Sequence, residues 1–547
     1  MSTSEYWQRV SKQRLSRRKA LAAGAAGVGA ATLALAGCGG DDKEETSNGG
    51  GNGGGDTPKT GGTFTQGTIA TALSVDPHTE IGYGLAYMPY MYGYLIHDIQ
   101  YFDKPPEVTY DQASSMETPD ETTYLFHLKK GIKFHDMPPV NGREMVADDV
   151  LYSFDRISTV GMEPFWKTYV AGKAAPDPYT VELKLTKPYA YVTEEVGNVK
   201  AAIVPKEAVE AWGDLKTQGI GTGPFMFKSF SRGASMEVMK NPNYYVQGVP
   251  LLDGMAWRTI ADDSSLKVAF RAKQMETYAA PSKIQADEVT GYSNDVILVK
   301  DPSLLIAKFN INELSLPELQ DVRVREAIEI ALDRDAMIAK LCFGEGEYTG
   351  PVSSGLSFWS LPQSELRERL KRDVTKAKQL LEAANASGLE LELKFVSTTH
   401  SDIAAVIKEH LGAAGINVSL IPQEIGTWRN DQAAGAFQMQ AGGGLPYPSE
   451  KYPLQFNHTK NWSRAQSPTR QPEPEIDALL DKILETPDIN ERQVLVMDVT
   501  RKLLDRHGTM FYLYAPYSYS CRWNYLRGYE DVPAGKLAFV YDMWLDK

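Results

Sequence analysis

Residues 389–421 read LELELKFV, STTHS, DIAAVIKEHLGA, AG and INVSLI in order. The first segment predicts a strand over 389–396, since apolar residues alternate with charged ones. Residues 402–413 predict an amphipathic helix that stops at Gly415, the residue type suited to a left-handed helix end. Residues 416–421 predict a second strand, so the stretch is a compact βαβ unit. Working outward, Thr63–Gly67 opens a first strand and Val181–Leu185 alternates in the same way. Residues 147–157 (ADDVLYSFDRI) predict a helix after an acidic start, with Val150, Leu151, Phe154 and Ile157 apolar. Residues 321–341 predict one longer helix carrying Val324, Ile328, Leu332 and Ile338 on a single stripe. The fold class is α/β throughout, with no internal repeat.

The chain has 547 residues, which predicts two or three domains, and its 42% hydrophobic content is enough to build cores. Its net charge is −13. Residues 1–37 hold six basic residues and one acid, so the remainder has 51 basic against 69 acidic residues, a net charge of −18. A body that acidic repels phosphate backbones, which argues against nucleic acid as a partner. The cysteines are Cys38, Cys342 and Cys521, with no CxxC pair. Cys342 and Cys521 read as buried thiols, with a disulfide between them as the alternative.

The N-terminal region reads as an address and an anchor. Arg17-Arg18 stands before an apolar stretch of 17 residues, Ala20 to Ala36, too short and too rich in Ala and Gly for a spanning helix. This predicts an export signal over 1–37, by the twin-arginine route or the general secretory route. Leu35-Ala36-Gly37-Cys38 looks like a lipobox, with Cys38 as the lipid-bearing residue. Residues 38–60 then read as a lipidated cysteine and a Gly-rich flexible tether.

Motifs for chemistry are missing. The eight histidines show no HExxH spacing, and no GxSxG elbow occurs. Gly219–Gly223 reads as a turn before a strand, and His135-Asp136 as a surface turn before Pro138-Pro139. The expectation is a protein without enzymatic activity and without cofactor or resident metal.

The order of segments resembles the extracellular solute-binding proteins, family 5, that serve dipeptide, oligopeptide and nickel importers. The resemblance runs from GGTFTQGT at 61–68 and Ser74-Val75-Asp76-Pro77-His78 through TYLFHLKKGIKFHD at 123–136 and ADDVLYSFDRI at 147–157. It continues in Gly221–Phe225, Asn241–Tyr245, LLDGMAWRTIADDSS at 251–265, DVRVREAIEIALDRDAMI at 321–338 and the 389–421 unit.

What the resemblance implies is a two-lobed class II periplasmic-binding-protein-like α/β fold with an extra subdomain inserted in lobe I. Lobe I would comprise 61–92, 218–302 and 516–547, the insert 93–217, and lobe II 303–515. Crossing segments would lie near Ser303–Phe309 and Met510–Pro516. The implied ligand-binding residues are Ile81, Gly82 and Tyr83 from lobe I, and Trp359, Thr398, His400, Gly443, Pro446 and Tyr447 from lobe II. Phe358 and, more weakly, Trp428 are further candidate walls. Peptide-binding relatives hold the ligand's ammonium with an aspartate; here Pro446 stands in its place and Glu450 is the nearest acid downstream. This leaves two alternatives: a ligand without a free ammonium, or a shifted loop that uses Glu450. The implied partners are a small-molecule or peptide ligand, permease subunits of an ABC importer, and the membrane through lipid on Cys38. The chain itself would be a monomer. A ligand-sensing lipoprotein for a signalling partner shares these features, and a secreted hydrolase is the remaining alternative.

Overall fold

The computed structural model describes residues 57–80, 82–443, 446–461, 472–529 and 542–547. The expected export signal with Arg17 and Arg18, Cys38 and most of the tether, and Ile81 lie outside these residues. Among the described residues, no helix is long and apolar enough to cross a membrane.

Strand β1 (Thr63–Thr68) turns Phe64 inward and leads into a long connection ending in the pair β2 (Ile96–Ile99) and β3 (Glu107–Tyr110). Next come β4 (Ala113–Asp120), β5 (Thr123–Leu128), β6 (Val170–Asp177) and β7 (Thr180–Leu185), an antiparallel sheet in the order β4-β5-β7-β6. The helix Ala147–Val160 is connected within this sheet and buries Val150, Phe154 and Ile157. Asp149 starts that helix by accepting from the Val146 amide at 2.9 Å.

The chain then returns to β1 through β8 (Phe225–Ser231), β9 (Ser235–Lys240), β10 (Gly254–Thr259) and β11 (Thr277–Ala280). Strand β1 pairs in parallel with both β10 and β11. Strand β12 (Val296–Pro302) leads to β13 (Ala307–Ile311), which begins a second assembly. After β14 (Gly346–Glu347), this assembly adds β15 (Glu390–Val396), β16 (Asn417–Gln423) and β17 (Met439–Gly443). Strand β18 (Met510–Trp523) is 14 residues long and belongs to both halves. Its first part pairs with β13, and its second part pairs with β11 and β12. The two lobes are therefore stitched together by one continuous strand and by the β12-to-β13 passage.

The βαβ unit read from residues 389–421 is present. Strands β15 and β16 pair in parallel, and the helix Ser401–Ala413 between them buries Ala404, Ile407 and Leu411. Gly415 has φ +91°, the left-handed geometry its position predicts.

The expected single helix over 321–341 is two helices, Val322–Ala331 and Arg334–Leu341. Leu332 is extended, and the Asp333 carboxylate accepts from the Ala336 amide at 2.9 Å, capping the second helix. Arg334 explains the break: its side chain turns inward to donate to the carbonyls of Tyr512 and Leu370 and to pair with Glu329.

Two hydrophobic cores result. One joins side chains of 306–441 with Leu504 and residues 511–514. The other holds the β1 sheet and the β4–β7 subdomain. Val352, Leu356, Trp359, Leu454 and the helices Pro474–Glu485 and Ile489–Asp505 bury apolar side chains in this first core, although they fall within the stretch assigned to lobe II. Cys342 and Cys521 are free thiols, so the disulfide alternative is overturned.

Candidate ligand-binding cleft

Strand register locates the cleft. Ala280, the last residue of β11, lies opposite Tyr519, and β1 runs parallel to β11. The carboxyl ends of the first lobe's parallel strands therefore point toward the middle of β18. In the second lobe, Ala307 lies opposite both Tyr514 and Gly443, and β15 runs parallel to β17. The carboxyl ends of these strands point to the same waist from the other side. Ligands of open α/β sheets bind beyond carboxyl strand ends, because the loops and free backbone amides gather there. The segments that leave these ends are 69–83, 397–400 and 444–447.

The second lobe presents an aromatic pair at this edge. The His400 ring lies 6.2 Å from the Trp428 indole at an interplanar angle of 24°. Trp428 is anchored at both ends: its Nε1 donates to the Ala441 carbonyl at 3.2 Å, and its own carbonyl accepts from Gln440 Nε2 at 2.8 Å. Its ring crosses Gly442 so closely that a Cβ there would lie 2.7 Å from Trp428 Cζ2. Burial lowers the His400 pKa, which favours the neutral ring. Thr398 is exposed beside it. Gly443 ends β17, and the two residues after it lie outside the described set. Pro446 is exposed, while Tyr447 is partly covered, stacked 5.6 Å from Tyr452 and edge-on to Phe456 at 5.3 Å. Trp428, the weaker expectation, is 8% exposed and lies against His400 at the end of β15.

The first lobe contributes Gly82, exposed, whose amide donates to Glu80 Oε1 at 2.6 Å. Tyr83 meets Tyr87 edge-on at 5.7 Å, and Tyr87 leans on Trp257 at 4.7 Å. Beneath this loop Arg156 Nη1 donates to Asp76 Oδ1 at 2.8 Å and Arg156 Nη2 to Oδ2. Burial of Asp76 works against its charge, yet the bonds and charge of Arg156 hold its pKa below the usual range. His78 is enclosed beside them. Desolvation, reinforced by the Arg156 charge, pushes its pKa down to about 4. Its Nε2 donates to the Ala202 carbonyl at 3.0 Å.

Three expectations are corrected. Trp359, read as a ligand wall, is 1% exposed; it packs edge-on against Phe358 at 4.8 Å and beneath the Arg492 guanidinium at 5.3 Å. A large apolar ring gains more from that core than from a wet cleft. Glu450, the alternative ammonium partner, is 1% exposed and already engaged: Tyr191 donates to its Oε1 at 2.8 Å and Arg492 Nε stands 3.5 Å away. Burial pushes its pKa up to about 7, against the Arg492 charge and the tyrosine bond. His135, read as part of a surface turn, is fully buried, with Nε2 donating to the Gly223 carbonyl at 3.1 Å and Nδ1 accepting from the Gly221 amide at 3.3 Å. It fastens the β4–β7 subdomain to the Gly219–Gly223 turn.

One residue near this waist carried no sequence signal. Lys308 lies second in β13, opposite Gly442, with no sequence signal beyond a lysine near the start of an apolar strand. Among the described residues, no group of His, Cys, Asp and Glu is placed to hold a metal ion.

Two α/β lobes, a strand shared between them, and strand ends that converge on the shared strand define a two-lobed solute-binding fold. Residues 107–464 match the family model described as the middle region of bacterial extracellular solute-binding proteins, family 5. The chain belongs to that family. It is 26% identical over 333 residues to a glutathione-binding protein of Salmonella choleraesuis, an aligned stretch that covers 59% of this chain and 62% of that protein. It is 25% identical over 449 residues to the periplasmic oligopeptide-binding protein of Salmonella typhimurium, covering 75% of this chain and 79% of that one. A similar fold is seen in a periplasmic binding protein of Helicobacter pylori in complex with the peptide STSA. The TM-score is 0.72 at 22% identity, over 89% of this chain and 99% of the other. The binding protein AgaA of Agrobacterium, in complex with agropinic acid, gives a TM-score of 0.71 at 21% identity over the same shares.

Proposed function

We propose that this chain is the solute-capturing component of an ABC importer, binding one small organic or peptide-like solute between its lobes and delivering it to a membrane permease. The observation that carries this reading is the convergence of β1, β11, β15 and β17 on the stretch of β18 between Tyr514 and Tyr519. A site shared by two lobes joined at a narrow strand crossing is suited to closing on its ligand by hinge motion. Family membership and relatives named for glutathione and oligopeptides support a solute of that general size. Lobe I is assigned 61–92, 218–302 and 516–547, the insert 93–217, and lobe II 303–515 apart from the segments around 352–359 and 454 and the helices of 474–505, whose side chains share the first core. The ligand contacts assigned are Gly82, Tyr83, Thr398, His400, Gly443, Pro446 and Tyr447, with Ile81 beside them and Trp428 added.

The finer parts of the reading rest on the sequence: export guided by Arg17 and Arg18, lipidation of Cys38, and a monomeric body held at the outer face of the cell membrane. Metabolic labelling with a radioactive fatty acid tests the anchor. Label in the wild-type chain and its loss in Cys38→Ser are expected; equal label in both removes Cys38 from the role.

Titration calorimetry with peptides, glutathione and opine acids tests capture, and small-angle scattering tests closure. Saturable binding with a fall in radius of gyration is expected. Turnover of a bound compound would instead make the chain an enzyme.

A further inference from the structure

Lys308 faces the cleft edge without a charge to balance it. In β13, Ala307, Phe309 and Ile311 point into the second lobe's core, so Lys308 and Asn310 occupy the opposite face. Lys308 stands between Gly442 of β17 and Tyr512 of β18, at the end of β13 where the carboxyl ends of β15 and β17 also lie. Its Nζ donates to Met510 Sδ at 3.4 Å, and a thioether is a weak acceptor. Among the described residues no carboxylate pairs with it, and burial lowers its pKa to about 8 with no charge acting on it.

Other buried cations of this chain are treated differently. Arg156 pairs with Asp76, Arg334 with Glu329, Lys451 with Glu195 and Arg492 with Glu450. Lys308 is partly covered, and a partly desolvated ammonium without an anion is costly. The same face holds two more unsatisfied groups: the amide oxygens of Asn310 and Gln440, opposite each other in register, are buried without a donor. Both lie farther along the strands than Lys308, away from the waist, so the side of this face nearest the waist is held by Lys308. The Trp428 ring lies across Gly442, the direct neighbour of Lys308, and offers an apolar surface next to the cation.

We propose that Lys308 recognises a carboxylate of the captured solute, so that the cleft selects organic acids whose apolar part packs on Trp428. This rests on the solute-binding reading above and deepens it. It fits a fold in which Glu450 is occupied by Arg492 and Tyr191. When the carboxylate enters, the charge that was unbalanced becomes paired in a partly covered setting, where such a charge-assisted bond is stronger than in open water.

The test compares the purified full chain with Lys308→Met, Lys308→Gln and Lys308→Arg. Melting temperatures are read alone and with glutathione, agropinic acid, the tetrapeptide STSA and a wider set of carboxylic acids, each beside its neutral ester or amide. Without any compound, Lys308→Met should melt at or above the wild type, since it removes an unbalanced charge. A lower melting point means the ammonium is already satisfied and overturns the proposal. With compounds, acids should stabilise the wild type and their neutral counterparts should not. Lys308→Met and Lys308→Gln should weaken acid binding by about ten- to hundred-fold, and Lys308→Arg should keep most of it. Neutral counterparts that bind as well as acids, unaffected by Lys308→Met, overturn the proposal while leaving solute capture intact. An acid set that never stabilises the wild type overturns the carboxylate assignment; if the neutral set is equally silent, the capture reading falls with it.

Discussion

The phenol of Tyr191 donates to Oε1 of Glu450 across 2.8 Å, joining the segment after β7 to the segment after β17. Around this bond lies a dense set of buried charges. Lys451 Nζ stands 2.7 Å from Glu194 and 3.0 Å from Glu195, and Arg492 lies over the Tyr191 ring at 4.9 Å. The backbone reinforces the same seam, with the Ala190 amide donating to the Leu484 carbonyl at 2.7 Å. This seam explains why the helices of 474–505 share a core with the β4–β7 subdomain. It also shows why Glu450 is a structural residue here.

Glu450 makes stability depend on pH in an unusual direction. Burial raises its folded pKa to about 7 from an ordinary 4.5. As pH rises from about 4.5 to 7, the unfolded chain releases this proton and the folded chain keeps it. The glutamate's contribution to stability therefore falls over that window, by on the order of 2–3 kcal/mol. Glu450→Gln should gain on the wild type as pH rises from 5 to 7.5, measured by urea unfolding at each pH. A constant difference between the two proteins would contradict this.

The buried histidines act with the opposite sign. His78 and His135 have folded pKa values of about 4, lowered first by burial, against an ordinary 6.5. As pH falls below about 6.5 the unfolded chain binds protons that the folded chain refuses. Their contribution is present above that pH and is lost toward pH 4, by at most about 3 kcal/mol each. Because Glu450 slopes the other way, the check is a set of differences: His78→Gln minus wild type and His135→Asn minus wild type, each followed from pH 4.5 to 7. Each difference should shift in the variant's favour as the pH falls.

Lys451 holds two acids in a dry place. Lys451→Met leaves Glu194 and Glu195 without their cation and should cost about 3–5 kcal/mol in chemical denaturation. Adding Glu194→Gln and Glu195→Gln to that variant should restore much of the loss. If the triple variant is as unstable as Lys451→Met, the packing of the lysine stem, and not its charge, is what matters.

Gly442 is the place to disturb the aromatic wall without touching its rings. Gly442→Ala puts a methyl 2.7 Å from Trp428 Cζ2, so the indole must shift away from His400. The expected cost is about 1–3 kcal/mol, with a changed near-ultraviolet circular dichroism band and weaker binding of any solute the wild type captures. Unchanged affinity would remove Trp428 from the candidate site.

Much of the fold was legible because its signals are local. The alternation of 389–396 and the glycine at 415 specify a strand and a helix end from neighbouring residues alone. The helix over 321–341 was misread, although Asp333-Arg334-Asp335 carries a cap residue. On a periodic stripe Leu332 looks like an interior position, and the inward pull of Arg334 toward the Tyr512 carbonyl comes from a strand 178 residues away. The site was less legible. Aromatic residues give the same letter whether they line a cleft or fill a core, so Trp359 was placed ahead of Trp428 although it fills a core. Lys308 drew no reading at all, since the lack of a carboxylate partner among the described residues is a property of its surroundings.

The sequence by itself determined the α/β class, the family, the βαβ unit of 389–421 and the end of its helix, because these follow from short-range periodicity, turn chemistry and the order of motifs. Tertiary structure alone decided which acids and bases meet: Glu450 with Tyr191 and Arg492, Asp76 with Arg156, and Lys308 with no carboxylate among the described residues. The reason is physical. Periodicity depends on neighbours along the chain, whereas the cost of a buried charge depends on what the fold brings within a few ångströms from hundreds of residues away.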